Sequence, residues 1–240
     1  MKIDPELCIA CEVCLPYCPM EAISMKDDMA VIDEDECVEC GVCLRAEVCP
    51  VDAFVEGIHE WPRSVRAAFS NPLIVHKETR IPGRGTEEAK TTDVTGRFKR
   101  GFVGVTAEMG RPGVGVRFYD VEKVAQAMAK TGVEFAHDNP VTHLMVDKST
   151  GKLNDEILNE KACSAMIESI TAVDNIPAVI KAIREVAEQI ETVFTLTIST
   201  KLEADGSALC EKPLEELKVP LYINGKVNVG LGRPLFKEES

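Results

Sequence analysis

Eight cysteines fall within the first 49 residues of a 240-residue chain that holds ten in all. They stand in two runs. Cys8, Cys11, Cys14 and Cys18 are spaced C-x2-C-x2-C-x3-C and followed by Pro19; Cys37, Cys40 and Cys43 are followed, after five residues, by Cys49 and Pro50. Apolar residues here pad around something but are too few to build an independent core, so folding is expected to depend on what the sulfur binds.

The runs are copies of one another. Cys8, Cys11 and Cys14 recur 29 positions later, whereas Cys18-Pro-Met-Glu-Ala-Ile recurs 31 positions later as Cys49-Pro-Val-Asp-Ala-Phe. Two residues are therefore inserted within Leu44-Arg-Ala-Glu-Val48, where they are expected to widen a loop or add a helical turn. Three cysteines at such gaps, on a chain curling around a point, deliver three thiolates to three corners of one cube. The fourth corner has to come from elsewhere, because proline turns the chain away after the next cysteine. Structural zinc, a disulfide scaffold and redox-inert clusters are the competing readings. Zinc has no use for the third cysteine of each triplet. Disulfides belong to exported chains, and Met1-Lys2-Ile3-Asp4-Pro5 opens no apolar run of export-signal length.

Residues 2–57 resemble a bacterial-type ferredoxin domain with two [4Fe–4S] clusters. The resemblance implies crossed ligation, with Cys8, Cys11, Cys14 and Cys49 sharing one cluster and Cys37, Cys40, Cys43 and Cys18 sharing the other. The x5 gap before Cys49, where the first copy has x3, departs from the pattern and is expected to change one cluster's exposure without breaking ligation.

Charge divides the chain in the same way. Residues 1–60 carry 3 Lys/Arg against 15 Asp/Glu, residues 61–100 carry 9 against 4, and residues 101–240 carry 15 against 21. An acidic surface with 5% aromatic residues repels phosphate backbones and offers few stacking platforms, so nucleic acid is disfavoured as a partner. A redox protein or catalytic subunit with a basic docking face is favoured. The same acidity biases the clusters toward low potential. No stretch reaches 18 apolar residues, so no membrane span is expected and the cytoplasm is the expected location.

Three units follow: a dicluster ferredoxin-like domain at 1–60, a basic Gly/Pro-containing bridge at 61–100, and an α+β domain at 101–240. The bridge is expected to be a solvated linker lying against the acidic end. The α+β domain is expected to be a sandwich, with helices on one face of a mixed or antiparallel sheet. Its expected elements are a strand at 102–109, a hairpin through Gly110-Arg111-Pro112-Gly113, and a helix capped by Asp120 and ended by Gly132. A strand at 141–146, helices at 155–170 and from Pro177, a strand at 194–199 and an Asn224-Gly225 hairpin complete it. Cys163 and Cys210 are expected to be ordinary buried thiols.

Candidate anion or substrate contacts are Arg84 and Arg97 in the bridge, together with Arg111 and Arg233, each of which sits in a Gly-Arg-Pro turn. The loops Pro82-Gly-Arg-Gly-Thr and Glu108-Met-Gly-Arg-Pro-Gly are also similar to iron-sulfur reductases of the 6-hydroxynicotinate reductase type. That similarity implies low-potential electrons delivered to a small anionic or aromatic acid. Three functions are in view. The first is electron transfer within an anaerobic oxidoreductase, the α+β domain docking a catalytic partner or gathering protomers into a homo-oligomer. The second is a reductase whose α+β domain binds the acid. The third is a redox-sensing regulatory module.

Overall fold

The amino-terminal duplication is visible in the backbone. The computed structural model describes residues 1–57, 59–77, 80 and 97–221. Strand β1 (Lys2–Ile3) is repeated 29 positions on within β3 (Met29–Ile32), and β2 (Ile23–Lys26) is repeated 31 positions on as β4 (Phe54–Val55). β1 pairs antiparallel with β4, Lys2 opposite Val55, and β2 pairs with β3 across a turn whose Asp27 and Asp28 have φ of 50° and 58°. Two successive positive φ values are what a tight hairpin demands. Each ribbon therefore joins one strand from each half.

Where the first copy makes a single 3-10 turn at Leu15–Tyr17, the second makes α1 (Val42–Arg45), which gives way at Glu47 with φ 52°. The inserted residues add the helical turn. Met1, Ile23 and Ala30 form a small buried cluster with Cys14 and Cys43, so the ribbons pad the thiols.

Part of the bridge is no linker. α2 (Ser64–Ser70) buries Val65, Ala67 and Phe69, and Phe69 meets Phe118 edge to face at 5.1 Å. Val65 and Phe69 stand one helical turn apart and face the main core, a spacing too short to be read as periodicity from sequence. The expected Gly83-Arg84-Gly85 loop lies outside the described residues.

The larger body runs β5 (Phe102–Met109), β6 (Val116–Arg117), α3 (Phe118–Ala129), β7 (Glu134–Phe135), α4 (Pro140–His143), β8 (Met145–Asp147), β9 (Lys152–Leu153), β10 (Lys161–Ala162), β11 (Ala165–Ala172), α5 (Ile176–Ala187), β12 (Phe194–Thr200) and α6 (Glu211–Glu216). Its sheet is antiparallel throughout, in the order β12-β5-β11-β7. Val103, Val105, Ala107 and Met109 of β5 share a core with Val121, Val124 and Met128 of α3 and with Val179, Ile180 and Ile183 of α5. Burial of each such aliphatic contributes roughly 1.5–3 kcal/mol. The opposite face of the same strands is polar and still buried, with Thr106, Glu108, Glu168 and Ser199. Phe98 lies over Gly104 there, where a Cβ would meet its ring at 2.4 Å.

The chain is mixed α+β, as expected, but several elements differ. The expected helix at 155–170 is a 3-10 turn at Asp155–Ile157 followed by β10 and β11. The expected hairpin after β5 does not form: β6 pairs with β10, while β5 pairs with β11 and β12. The expected strand at 141–146 begins as α4, because Asn139 caps it by accepting from the Val141 and Thr142 N–H groups and Pro140 starts its first turn. α3 begins at Phe118, which leaves Asp120 inside the first turn. The Asn224-Gly225 hairpin lies outside the described residues.

Candidate metal centres

Left-handed residues alternate with the cysteines at matching places in both copies. Ala10 and Glu12 have φ of 54° and 60°, Glu39 and Gly41 have 54° and 68°, and after each Cys-Pro pair Glu21 and Asp52 have 55° and 50°. Outside glycine this conformation is unfavourable and survives only where surroundings enforce it. It curls the chain inward and turns successive N–H groups toward one centre. The Ala22 N–H donates to Cys18 Sγ at 3.2 Å and the Ala53 N–H to Cys49 Sγ at 3.3 Å. Such donors stabilise negative charge on sulfur.

Cys8, Cys11, Cys14 and Cys49 line one solvent-open recess of about 350 Å³, walled by Ile3, Ala30, Val51 and Phe54. Cys11 is exposed and Cys14 buried. Burial, and then the charges of Cys11, Cys8 and Cys49, push the Cys14 thiol up. Cys18, Cys37, Cys40 and Cys43 form the second set. Burial pushes Cys37 up to about 11 and Cys43 up to about 12, with Cys40, Cys18 and Cys37 adding repulsion at Cys43. A [4Fe–4S] cluster takes four thiolates, and each set has four thiols close enough to repel one another's charge. Both sets fit the group. Burial opposes thiolate formation, iron offsets that penalty, and assembly must release protons.

The second set lies under the larger body. Cys163 packs with Met20, Ala22 and Val38 against Cys18, Cys37 and Cys40. The Gly113 N–H donates to the Pro19 carbonyl at 2.6 Å, and a Cβ on Gly115, whose φ is 67°, would meet Met20 Cε at 2.7 Å. Three arginines surround the Cys37–Cys40 loop. Arg45 donates to the Cys40 carbonyl at 2.9 Å, Arg66 to the Cys37 carbonyl at 2.9 Å, and Arg63 to the Glu39 carboxylate at 2.5 Å. Glu39 also holds the Met1 ammonium and, at 2.9 Å, His59. Burial would raise its pKa, but the ammonium and Arg63 hold it below the usual carboxylate range. Further out, Arg117 bridges Asp35 at 2.8 Å and Glu36 at 2.9 Å, and Lys161 also reaches Glu36. The acidic end thus does meet basic residues, drawn from both the bridge and the larger body.

Of the candidate anion contacts, Arg97 pairs with Asp138 at 3.1 Å. Arg111 folds back onto the Gly110 and Glu108 carbonyls at 2.6 and 3.3 Å and reaches Thr195 Oγ1 at 3.1 Å. Arg84 and Arg233 lie outside the described residues. Sequence reasoning missed Arg45 and the roles of Arg63 and Arg66; the signal was a pair of arginines at i and i+3 flanking buried Val65. Cys163 is buried as expected, on a segment between strands and not in a helix; Cys210 is buried at the cap of α6. Among the described residues no helix is long and apolar enough to cross a membrane.

Residues 7–53 match the 4Fe-4S dicluster domain family. The chain is similar to Ferredoxin-1 of Rhodobacter capsulatus, 39% identical over 74 residues that cover 31% of this chain and 91% of that protein. It is similar to Ferredoxin-2 of Chlorobaculum tepidum, 42% identical over 55 residues (20% and 86%), and to Ferredoxin Fdx2 of Sorangium cellulosum, 32% identical over 98 residues (40% and 94%). Two four-thiol sets on a duplicated backbone, matched over nearly the whole length of such relatives, place the chain in the ferredoxin family, with an amino-terminal electron-transfer domain for two [4Fe–4S] clusters.

Proposed function

We propose that the chain is a low-potential one-electron relay, working as a protein or subunit of an anaerobic oxidoreductase. Cys8, Cys11, Cys14 and Cys49 hold the cluster that meets a partner, while Cys18, Cys37, Cys40 and Cys43 hold the one that faces the α+β body from residue 101 onward. When bound, each cluster takes up and gives back one electron. The observation that carries this reading is the asymmetry of the two sets: Cys11 is exposed at an open recess, whereas the second set is covered by Cys163 and the Gly113–Gly115 turn. Exposed Leu7, Ile9 and Val13 surround the first set, and exposed Glu6 and Glu12 give that surface the sign a basic partner would meet. The acidic residues Asp35, Glu36 and Glu39 beside the second set are already engaged internally.

Anaerobically reconstituted protein should hold eight irons and eight sulfides and should be reduced by a low-potential donor protein at a rate that falls with salt. Protein with well under eight irons, or one whose reduction ignores salt, does not fit.

In a second reading, the α+β body itself reduces a small anionic acid. Arg111 at the end of β5, beside Thr195 at 3.1 Å, favours it, because its guanidinium is the charge an acid would pair with. Substrate-dependent reoxidation of the reduced chain alone would select it, while co-purification with a larger catalytic chain selects the first.

A further inference from the structure

The two cysteine sets differ in their charges as much as in their exposure. The first recess is lined by apolar side chains, cysteines and Glu12, with no lysine or arginine among its walls. The second loop is held by three guanidinium groups. Two of these are largely neutralised, Arg63 by Glu39 and Arg66 by Glu160. Arg45 is different, because its hydrogen bonds go to two neutral oxygens, the Cys40 carbonyl at 2.9 Å and Asn71 Oδ1 at 3.1 Å. Its charge faces the loop without a bonded counter-ion in either contact. Arg45 Nη2 thus stands one hydrogen bond from the backbone of a cysteine of the second set, and Arg63 sits on the Glu39 carboxylate within the same loop.

Reduction adds one negative charge to a cluster, so a guanidinium beside the loop favours it. Burial under the larger body works the other way, because a charge in a dry surrounding is costly. Left to burial alone, the inner cluster would be the harder of the two to reduce, and an electron taken up at the surface would stay there.

We propose that Arg45, with Arg63 and Arg66 behind it, raises the reduction potential of the cluster held by Cys18, Cys37, Cys40 and Cys43 enough to offset its burial, so that an electron accepted at the exposed cluster moves inward. The inference rests on the assignment of the two cysteine sets under the proposed function. The transfer exchanges one electron and neither makes nor breaks a bond: the outer centre is reoxidised as the inner one is reduced. The electron comes from a one-electron donor protein at the surface, or from dithionite in the test.

The test is an EPR-monitored redox titration of reconstituted holoprotein, with a soluble dysprosium chelate to identify the exposed centre by its faster relaxation. Arg45→Gln removes the charge from an exposed side chain while keeping a donor, so it should fold and retain eight irons. The wave of the chelate-insensitive centre should move to lower potential, and that of the exposed centre should stay. Arg45→Lys should restore the original position. Arg100→Gln removes an equal charge from a pair with Glu203 and should move neither wave. Arg66→Gln with Glu160→Gln tests the background contribution and should shift the same wave less. Two intact clusters whose waves ignore Arg45→Gln, or move together, overturn the inference and leave the assignment standing. A wild-type chain that cannot hold two clusters overturns both.

Discussion

The Arg66 guanidinium donates to the Cys37 carbonyl oxygen at 2.9 Å, across 29 positions of sequence. The same Nη1 reaches the Glu34 and Asp35 carbonyls at 3.0 and 2.7 Å, and Nε pairs with Glu160. One buried side chain thus ties the second cysteine loop, α2 and the larger body together.

Replacing Arg66 with Ala strands the Glu160 carboxylate and three carbonyls in a site where the arginine is only 4% exposed. The cost should be about 3–5 kcal/mol, the usual penalty for removing one partner of a buried pair. Chemical denaturation of the holoprotein followed by visible absorbance measures it, and a loss below 1 kcal/mol would show that the contact contributes little.

Gly115→Ala places a Cβ at a φ of 67°, 2.7 Å from Met20 Cε and 2.9 Å from the Ala162 carbonyl. We expect a loss of about 1–3 kcal/mol from backbone strain and crowding together. The larger body should also sit less closely over the second cysteine set, so bleaching in air should be faster than in the wild type. Equal bleaching rates would mean that the Gly113–Gly115 turn does not shield the set.

Cys49→Ser and Cys18→Ser separate the crossed assignment from a sequential one. Under crossed ligation, Cys49→Ser should weaken the exposed centre and Cys18→Ser the buried one, each variant falling from eight irons toward four. Relaxation by the dysprosium chelate tells which centre survives. Survival of the exposed centre in Cys49→Ser would refute the crossing.

Cys163 and Cys210 are both buried, and burial pushes the Cys210 thiol above its ordinary value of 9.0. With both clusters in place, the native protein should show no fast-reacting thiol at neutral pH. A native state that holds the Cys210 proton more tightly than the unfolded chain loses stability as pH rises through about 9, not as it falls. Alkylation followed by mass spectrometry across that range measures the first point, and denaturant midpoints measure the second.

The dicluster segment was legible because ligation imposes spacing that no other demand would produce twice. β11 was not. Ile157, Leu158, Ala162, Ala165 and Met166 happen to fall at helical spacing. The true inward positions of β11, Ala165, Ile167, Ser169 and Thr171, grade from apolar to polar. Ser169 earns its buried place by donating its hydroxyl to the Val105 carbonyl at 3.0 Å, and Glu168 on the other face by accepting from Asn139 at 2.9 Å. With both faces buried, the alternation that marks a half-exposed strand disappears. Arg63 and Arg66 were half hidden: their i, i+3 spacing beside Val65 was visible, but the Glu34, Asp35 and Cys37 carbonyls they bond lie 29 to 32 positions away, and Arg45 turns back to Cys40 and across to Asn71.

The pairing of Lys2 with Val55 ties the first strand of the duplicated segment to its last. A ribosome must therefore release more than fifty residues before the ribbon can zip, and until then the early thiols wait without their enclosing strands. Because this segment has too few apolar residues for a core of its own, closing the ribbon and loading iron should be one event, late in synthesis.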